Sequence, residues 1–205
     1  MKQFSNRYML FYSLALAAIV AIVLTIVATS LKPLQDKNRD AETMQMILKT
    51  IGIEASRDNA AELYAKYITE ETNEKGLPYY SFKARGEESY RHGGYIIPLS
   101  GTGLWGPIWG YLAIDIDAGS SVVGAVFDHQ GETPGLGGEI ATDKFANRFI
   151  GKSMDVRPIV LKKNASNEYP YNKYEVDAIS GGTMTSNGVS AMLEKAFNDY
   201  SDIVE

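Results

Sequence analysis

The sequence predicts an α+β fold, in which a single domain with an antiparallel sheet flanked by helices is preceded by one transmembrane helix. Three observations predict this class. An uncharged apolar run lies near the N-terminus, apolar residues at helical spacing follow it and return at the C-terminus, and short β-branched or aromatic runs lie between turn residues in the middle. We therefore divide the chain into a short N-terminal segment 1–7, a transmembrane helix 8–31 and a soluble domain 40–205.

The composition limits the chemistry that the chain can carry. Hydrophobic residues make up 45% of the 205 residues and charged residues 22%, which is enough apolar material for one core. The formal net charge is −5 and no run of Lys and Arg forms a basic stripe, so we expect no nucleic-acid partner. There is no cysteine, and the only histidines are His92 and His129, so we expect no metal site. Electron transfer would then need an organic cofactor.

Residues 8–31 carry no charge and are dominated by Leu, Ile, Val and Ala. A run of about 24 residues is long enough to cross a hydrocarbon core of about 30 Å. Tyr8, Phe11 and Tyr12 are suited to anchor one membrane interface, and Lys32-Pro33 ends the apolar run. A cleaved signal peptide is the alternative, although its apolar region would be shorter, about 7–15 residues.

The charges that flank the apolar run do not decide its orientation. The basic residues are Lys2 and Arg7 before the run and Lys32, Lys37 and Arg39 after it. Because orientation follows the excess of Lys and Arg on the cytoplasmic side, this nearly balanced distribution favours neither direction.

Two helices are predicted to follow the membrane segment. Residues 40–51 repeat apolar side chains at helical spacing, and Asn59 is positioned to cap a second helix. The apolar stripe of that second helix comprises Ala60, Leu63, Tyr64, Tyr67 and Ile68. The polar segment 70–75 is then interpreted as the exit from the helix.

The middle of the chain has the pattern of short strands. Four strands are predicted at 79–82, 95–99, 111–117 and 121–127. The last two form a hairpin with Asp117-Ala118-Gly119 as its turn. The glycine-rich segment 101–110 before this hairpin holds both tryptophans. From composition alone, the interpretation of residues 101–106 is a tight strand turn with core tryptophans.

The C-terminal part mixes the two types of element. Thr142 is predicted to cap a helix with Phe145, Phe149 and Ile150 on one face. Strands are predicted at 156–161 and 174–176. The last helix should begin near Thr185 or Ser186, and its buried stripe comprises Val189, Met192, Leu193, Ala196, Phe197 and Tyr200.

Residues 177–188, D-A-I-S-G-G-T-M-T-S-N-G, lie between a predicted strand and the last helix. Such a turn presents free backbone N–H groups and the positive end of the helix dipole, which together bind phosphate well. Gly181 and Gly182 allow close approach of an oxygen-rich group, and Thr183, Thr185 and Ser186 add hydroxyls. A plain capped connection is the alternative. The segment is not a P-loop, because no lysine follows the glycines.

Residues 129–139, H-Q-G-E-T-P-G-L-G-G-E, form a second glycine-rich loop. From composition alone it is a connection with a Pro134-Gly135 turn. Asp128 and His129 with a distant serine would suggest a hydrolase, but no G-x-S-x-G nucleophile elbow accompanies them. We therefore expect no catalytic residue in this chain, and we assign His129 a structural or hydrogen-bonding role.

Three motifs in the same order carry a resemblance to a known family. They are G-x-G-L-W from Gly101, E-T-P-G-L-G from Glu132 and S-G-x-T from Ser180. The chain resembles the FMN-binding family that includes the C subunits of sodium-translocating NADH:quinone reductases and the G subunits of Rnf complexes. The resemblance covers residues 101–189 and the N-terminal span, and it is weak over 41–90.

The resemblance implies that FMN is joined to Thr183 by a phosphoester, which a separate flavin transferase installs by taking the FMN moiety from FAD. Asp177, Ser180 and Gly181 would then serve transferase recognition or shape the turn. Gly182 stands where the family usually has alanine. The remaining cofactor contacts that we expect are Glu132 and Thr133 as polar partners, Leu136 against the ring, and Gly137, Thr185 and Lys162 around them. For Lys162, which would neutralise the phosphoester, a solvated surface lysine is the alternative.

The implied function is that of a redox subunit that is not catalytic alone. It would take electrons from a metal centre in neighbouring membrane subunits and pass them to another flavin, which couples NADH oxidation to sodium export. The resemblance places the chain in the bacterial inner membrane with its soluble domain in the periplasm. The G-x-G-L-W element favours the quinone-reductase type over the Rnf type. A membrane-tethered sensor or binding module and a purely structural assembly protein are the alternatives from other classes.

Overall fold

The computed structural model describes residues 5–83, 93–115, 119–165 and 172–204. The chain divides into two compact units, Met1–Glu42 and Thr43–Glu205. The predicted turn residues Asp117 and Ala118, like His92, lie outside the described residues.

Helix α1 is a single element that runs from Asn6 to Thr50. The sequence predicts two helical segments here, whereas the structure continues the helix through Pro33. A proline inside a helix removes one backbone hydrogen bond and bends the helix but need not end it. Residues 34–42 contain no glycine and consist mostly of good helix formers, so the helix resumes after that one loss.

The N-terminal part of α1 has the surface of a membrane span. An 18-residue window has a mean hydropathy of 2.7, and none of it is buried by other parts of the described chain. The hydroxyls of Ser13, Thr25 and Thr29 donate to backbone carbonyls four residues earlier, at 2.7–2.8 Å. Such internal hydrogen bonds satisfy polar groups that lipid cannot satisfy. The helix therefore fits a single-pass membrane anchor.

Unit Thr43–Glu205 contains a five-stranded antiparallel sheet whose spatial order follows the chain order. Its strands are β1 (Ile68–Thr72), β2 (Pro78–Phe82), β3 (Gly94–Thr102), β4 (Pro107–Asp115) and β5 (Ser121–His129). The α+β class and the antiparallel sheet flanked by helices are thus confirmed. Each connection links neighbouring strands, so the whole sheet is built from sequential hairpins.

Strand β1 corrects the interpretation of residues 70–75 as a polar exit from a helix. Helix α2 ends at Tyr67, and Ile68 opens β1, which pairs with β2 from Ile68–Phe82 to Thr72–Pro78. Four of its five residues are polar, since β1 is the edge of the sheet and buries only Ile68. A strand that buries only one side chain shows no alternation of apolar and polar residues. The search for apolar periodicity therefore did not predict β1.

The sheet separates two apolar layers. On one face, Ile97, Leu99 and Leu112 pack in a core with helix α4 (Thr183–Asp199) and with a cluster of three phenylalanines, Phe127, Phe145 and Phe149. On the other face, Ile96 and Ala113 pack against the C-terminal end of α1 and against α2 (Ala60–Tyr67). Consecutive β3 residues thus serve opposite layers, as the pleat of a strand requires.

The helix predicted after β5 has the expected cap residue but is shorter than expected. Thr142 caps helix α3 (Asp143–Ala146) and accepts the Phe145 N–H at 3.3 Å. A 3₁₀ turn follows at Asn147–Phe149, and Ile150 comes after its end and is 51% exposed. The prediction that Ile150 shares the buried face was wrong, because the helical register stops before it.

The strands predicted at 156–161 and 174–176 are present in shorter form, and they pair in parallel as a second, two-stranded sheet. They are β6 (Val160–Lys162) and β7 (Glu175–Asp177), with Lys162 opposite Asp177. Val156, expected in a strand, is 70% exposed and precedes β6. Strand β7 leads directly into the turn before α4, so this small sheet positions the start of that helix. A four-residue helix α5 (Ser201–Val204) follows α4.

Candidate functional site

The three sequence motifs meet at one cleft of about 150 Å³. The cleft lies where the β3–β4 loop, the loop after β5 and the start of α4 come together. Its lining residues are Leu104 and Trp105 from the first loop, Glu132, Thr133, Leu136 and Gly137 from the second, and Gly181, Gly182, Thr183, Met184 and Thr185 from the third segment. Segments that are distant in the sequence therefore build one site.

Glu132 connects all three segments. Its Oε1 accepts the backbone N–H of Trp105 at 2.8 Å, and its Oε2 accepts the hydroxyl of Thr185 at 2.6 Å. Its own backbone N–H donates to Nδ1 of His129 at 3.2 Å. Glu132 is only 4% exposed, so these bonds are formed away from solvent, where they are strongest.

The environment of Glu132 holds its carboxyl group in the charged form. Burial by itself raises the pKa of Glu132. The hydrogen bonds from the Thr185 hydroxyl and from the backbone N–H groups of Trp105 and Leu104 act in the opposite direction and lower the pKa of Glu132 below its ordinary value. A buried carboxylate thus lies at the base of the cleft.

The hydroxyls of the third motif have different surroundings. Ser186 Oγ accepts the Ile179 N–H at 3.0 Å, and Thr185 donates to Glu132, so both are buried and used within the fold. Thr183 is the first residue of α4 and is exposed at the cleft. Among the cleft-lining residues of this motif, Thr183 therefore presents the hydroxyl that an incoming group can reach.

The N-terminus of α4 offers backbone donors to the cleft. Gly182 is the cap residue and supplies no side-chain cap hydrogen bond. The N–H of Ser186 donates to the Gly182 carbonyl at 2.8 Å, so the N–H groups of the preceding residues lie in the first turn, where a helix provides no partner. Gly181 has a φ of +75°, a conformation that favours glycine. Such a terminus is suited to bind a phosphate group.

Exposed apolar side chains surround Thr183. Leu104, Leu136 and Met184 are exposed, and Trp105 is 69% exposed, although all four line the same cleft. An apolar wall with a few polar groups is typical of a cofactor pocket. The interpretation of Trp105 as a core residue was wrong, since its backbone is held by Glu132 while the indole points outward. Met184 was not singled out, because nothing in its local sequence distinguishes it.

Three of the expected site residues do not line the cleft. Lys162 forms an ion pair with the buried Glu175. The Asp177 carbonyl accepts Nη1 of Arg148 at 2.8 Å, a contact that the sequence did not suggest. Ser180 is exposed and lies one residue before the lining segment. The eight other residues expected to contact a cofactor all contribute to the cleft.

The described residues contain no group of three or more His, Asp or Glu side chains that could hold a metal ion. The cleft places the N-terminus of α4 beside an apolar wall. This donor set matches an aromatic cofactor with a phosphate tail.

Comparisons with known proteins agree with this chemistry. Residues 103–198 match the family model of the FMN-binding domain. The crystal structure of the C subunit of the Na(+)-translocating NADH-quinone reductase from Parabacteroides distasonis is 32% identical, covers 85% of this chain and 96% of that one, and superposes with a TM-score of 0.72.

Two further relatives have the same name. The C subunit from Vibrio anguillarum is 27% identical across 90% of this chain and 88% of its own length. The C subunit from Chlamydia caviae is 35% identical across 53% of this chain and 39% of its own length, so that match spans only about two fifths of the relative. From its sequence similarity and its fold, the chain belongs to the family of C subunits of Na(+)-translocating NADH-quinone reductases, which carry an FMN-binding domain.

Proposed function

We propose that this chain is the covalently flavinylated electron-transfer subunit of a sodium-translocating NADH:quinone oxidoreductase, with FMN attached to Thr183 through a phosphoester. The observation that carries the proposal is the exposed Thr183 hydroxyl at the N-terminus of α4, inside a cleft that all three family motifs line. The other two hydroxyls of the first helical turn, on Thr185 and Ser186, are already used in internal hydrogen bonds.

The residues of the cleft fit FMN. A phosphoester on Thr183 lies at a helix N-terminus, where backbone N–H groups and the helix dipole stabilise its charge. Leu104, Trp105, Leu136 and Met184 provide apolar surface for a planar ring. When bound, FMN supplies the one-electron and two-electron redox chemistry that side chains lack.

The attachment reaction is a phosphoryl transfer that an external flavin transferase performs with FAD. The Thr183 oxygen forms a bond to the phosphorus of the FMN moiety, the phosphoanhydride bond of FAD breaks, AMP leaves and the hydroxyl proton is released. Ser180 and Asp177 lie outside the cleft, which supports a role for them in recognition by the transferase or in shaping the turn rather than in contact with the ring.

The protein residues hold and orient the cofactor. Gly181 and Gly182 let the backbone approach the phosphoester, and Leu136 supplies a ring contact from the opposite loop. Thr133 is exposed on that loop and provides a polar partner. Because the tail is bonded to the chain, the flavin would remain in place through repeated reduction and oxidation.

The assembly that we propose places residues 8–31 across the bacterial inner membrane and the FMN-binding domain 40–205 in the periplasm. The long exposed apolar helix supports the anchor. The partners are the other membrane and flavin subunits of the reductase, which would deliver electrons to this flavin and receive them from it. The names of the relatives support these partners, since each is a subunit of such a reductase.

The test is Thr183→Val in the full chain, produced in a host that expresses the flavin transferase. The wild type should gain the mass of FMN less one water and give a fluorescent band on a denaturing gel. Thr183→Val should lose both signals because valine has no oxygen to esterify. Thr69→Val, which removes the hydroxyl of an exposed threonine on strand β1 outside the cleft, is the matched control and should keep both.

Three other outcomes would contradict the proposed function. A dark wild-type band from such a host would reject the covalent flavoprotein and favour the tethered sensor or binding module. A Thr183→Val protein that is still fluorescent after denaturation would move the attachment to another residue. Normal electron transfer by a flavin-free Thr183→Val complex would favour a purely structural role.

A further inference from the structure

Glu132 was expected to contact the flavin, but its hydrogen bonds are directed into the protein. Oε1 accepts from the Trp105 N–H and Oε2 from the Thr185 hydroxyl, at 2.8 and 2.6 Å. We call this carboxylate with its two hydrogen bonds the Glu132 bridge. It joins the β3–β4 loop to the first turn of α4, and both segments line the cofactor cleft.

Two glycines make room for the bridge. A Cβ at Gly137 would overlap Oε2 of Glu132 and Oγ1 of Thr185, and a Cβ at Gly103 would lie 2.5 Å from Oε1 of Glu132. Gly103 belongs to the G-x-G-L-W motif and Gly137 to the E-T-P-G-L-G motif. Since both contacts are with the buried carboxylate, these glycines serve the bridge.

We propose that Glu132 is a positioning residue that assembles the cofactor cleft through the bridge and places a fixed negative charge beside it, which lowers the reduction potential of the flavin held there. The charge part of this inference rests on the proposed function. The assembly part concerns the apoprotein and stands without it.

The Glu132 carboxylate accepts the backbone N–H of Trp105. Without this carboxylate, the N–H loses its acceptor and the β3–β4 loop loses its hydrogen-bonded link to α4. A charge in a poorly solvated site acts strongly on its neighbours. A carboxylate beside the ring disfavours the addition of electrons. Its removal should therefore make the flavin easier to reduce.

The first experiment is a double-mutant cycle in the full-length apoprotein, produced without the transferase and followed by thermal unfolding. Glu132→Ala and Thr185→Val should each lower Tm by several degrees, and the double variant should lose clearly less than their sum, because both remove the same hydrogen bond. Thr185→Ser keeps the hydroxyl and should retain most of the wild-type Tm. Additive losses would overturn the proposal.

The second experiment is a redox titration of the flavinylated protein. Glu132→Gln keeps the shape and the capacity to accept the Trp105 N–H but removes the charge, so the midpoint potential should rise while the flavin stays attached. Glu139→Gln, in the same loop but not in the cleft lining, is the matched control and should keep the wild-type potential. An unchanged or lower potential in Glu132→Gln would overturn the charge part of the proposal.

The two experiments separate this inference from the proposed function. A wild-type protein without covalent flavin would reject the proposed function and, with it, the effect on the potential. The double-mutant cycle would still decide whether the bridge assembles the cleft. Coupling in the cycle together with an unchanged potential in a flavinylated Glu132→Gln protein would reject the charge effect alone.

Discussion

Burial assigns different roles to residues that look alike in the sequence. Thr183 and Thr185 are two positions apart in the same motif, yet Thr183 is exposed at the cleft and Thr185 is buried against Glu132. Residues two positions apart lie on different faces of a helix. The Thr183 hydroxyl is therefore available for modification, whereas the Thr185 hydroxyl forms a structural hydrogen bond. The resemblance to the family predicted Thr183 as the attachment residue, and the exposure of this residue supports that prediction.

Gly182 is the position at which the chain departs from the motif usual in the family. A Cβ there would lie 2.9 Å from Cγ2 of Ile179 and 3.4 Å from the Gly137 backbone nitrogen. The φ of Gly182 is −111°, so its backbone is outside the left-handed region that favours glycine. The crowding is therefore against one buried methyl group.

We predict that Gly182→Ala still accepts FMN but is less stable. Displacing the Ile179 methyl group should cost about 1 kcal/mol, which corresponds to a fall in Tm of about 3 °C. Differential scanning fluorimetry and in-gel flavin fluorescence measure the two effects separately. A variant that loses the flavin at unchanged Tm would contradict this account, since the defect would then lie in recognition by the transferase.

At the scale of elements, the position of α4 depends on close contact with β3. A Cβ at Gly188 would overlap the backbone carbonyl of Thr102 and lie 3.4 Å from Cδ1 of Ile108. Because the obstacle is backbone, it cannot move aside as a side chain does. The helix can approach the sheet this closely only with glycine at position 188.

Gly188→Ala should separate α4 from the sheet. In an exposed helix the change from Gly to Ala stabilises by about 1 kcal/mol. At Gly188 the steric overlap should outweigh this gain, so the free energy of unfolding should fall by about 2 kcal/mol. Urea unfolding measures the loss, and the yield of covalent flavin should fall as well because the helix start shifts. Asn187→Ala, on the exposed side of the same turn, is the control and should not reduce stability.

At the scale of the whole molecule, the cleft exists only when the domain is folded. Its residues come from positions between 104 and 185, and the last contributor is the helix that packs on the central strands. The apolar layer below α4 and the Glu132 bridge therefore support the same site. A loss of global stability should reduce the competence of the protein for flavin attachment.

Acid should destabilise the FMN-binding domain. Several carboxyl groups have a pKa below the ordinary value, namely Glu71, Glu132, Asp155 and Glu175. A group with a lowered pKa in the folded state contributes stability above its ordinary pKa and loses it as pH falls toward the folded value. The free energy of unfolding should therefore fall as pH drops from about 5 to about 3.

Glu71 offers a single-residue test of this pH dependence. Hydrogen bonds from Ser81 and from Tyr79 lower its pKa. Glu71→Gln cannot titrate, so its unfolding free energy should fall less over the same pH range in urea titrations. Glu62→Gln replaces an exposed carboxylate on α2 and should follow the wild-type curve. An equal slope for Glu71→Gln and the wild type would contradict the prediction.

The elements that could be predicted are those whose pattern is local. Strand β5 and the buried stripe of α4 follow from the spacing of apolar residues along a few turns or a few strand positions, and the structure confirms both except for Phe197, which is half-buried. Strand β1 was missed, and β6 and β7 were predicted as strands but not as partners of each other. Both features are defined by hydrogen bonds to another segment. Local periodicity contains no information about such pairing.

Reading the residues in order was sufficient to establish the apolar anchor helix, the antiparallel α+β class and the three motifs that identify the family, because each depends on composition or on residues close together in the chain. The folded domain was needed to show that Trp105 is exposed, that Lys162 pairs with Glu175 and that Glu132 joins the β3–β4 loop to the first turn of α4. These features depend on which groups the fold brings within hydrogen-bonding distance. Burial and the direction of a polar side chain are therefore properties of the assembled domain.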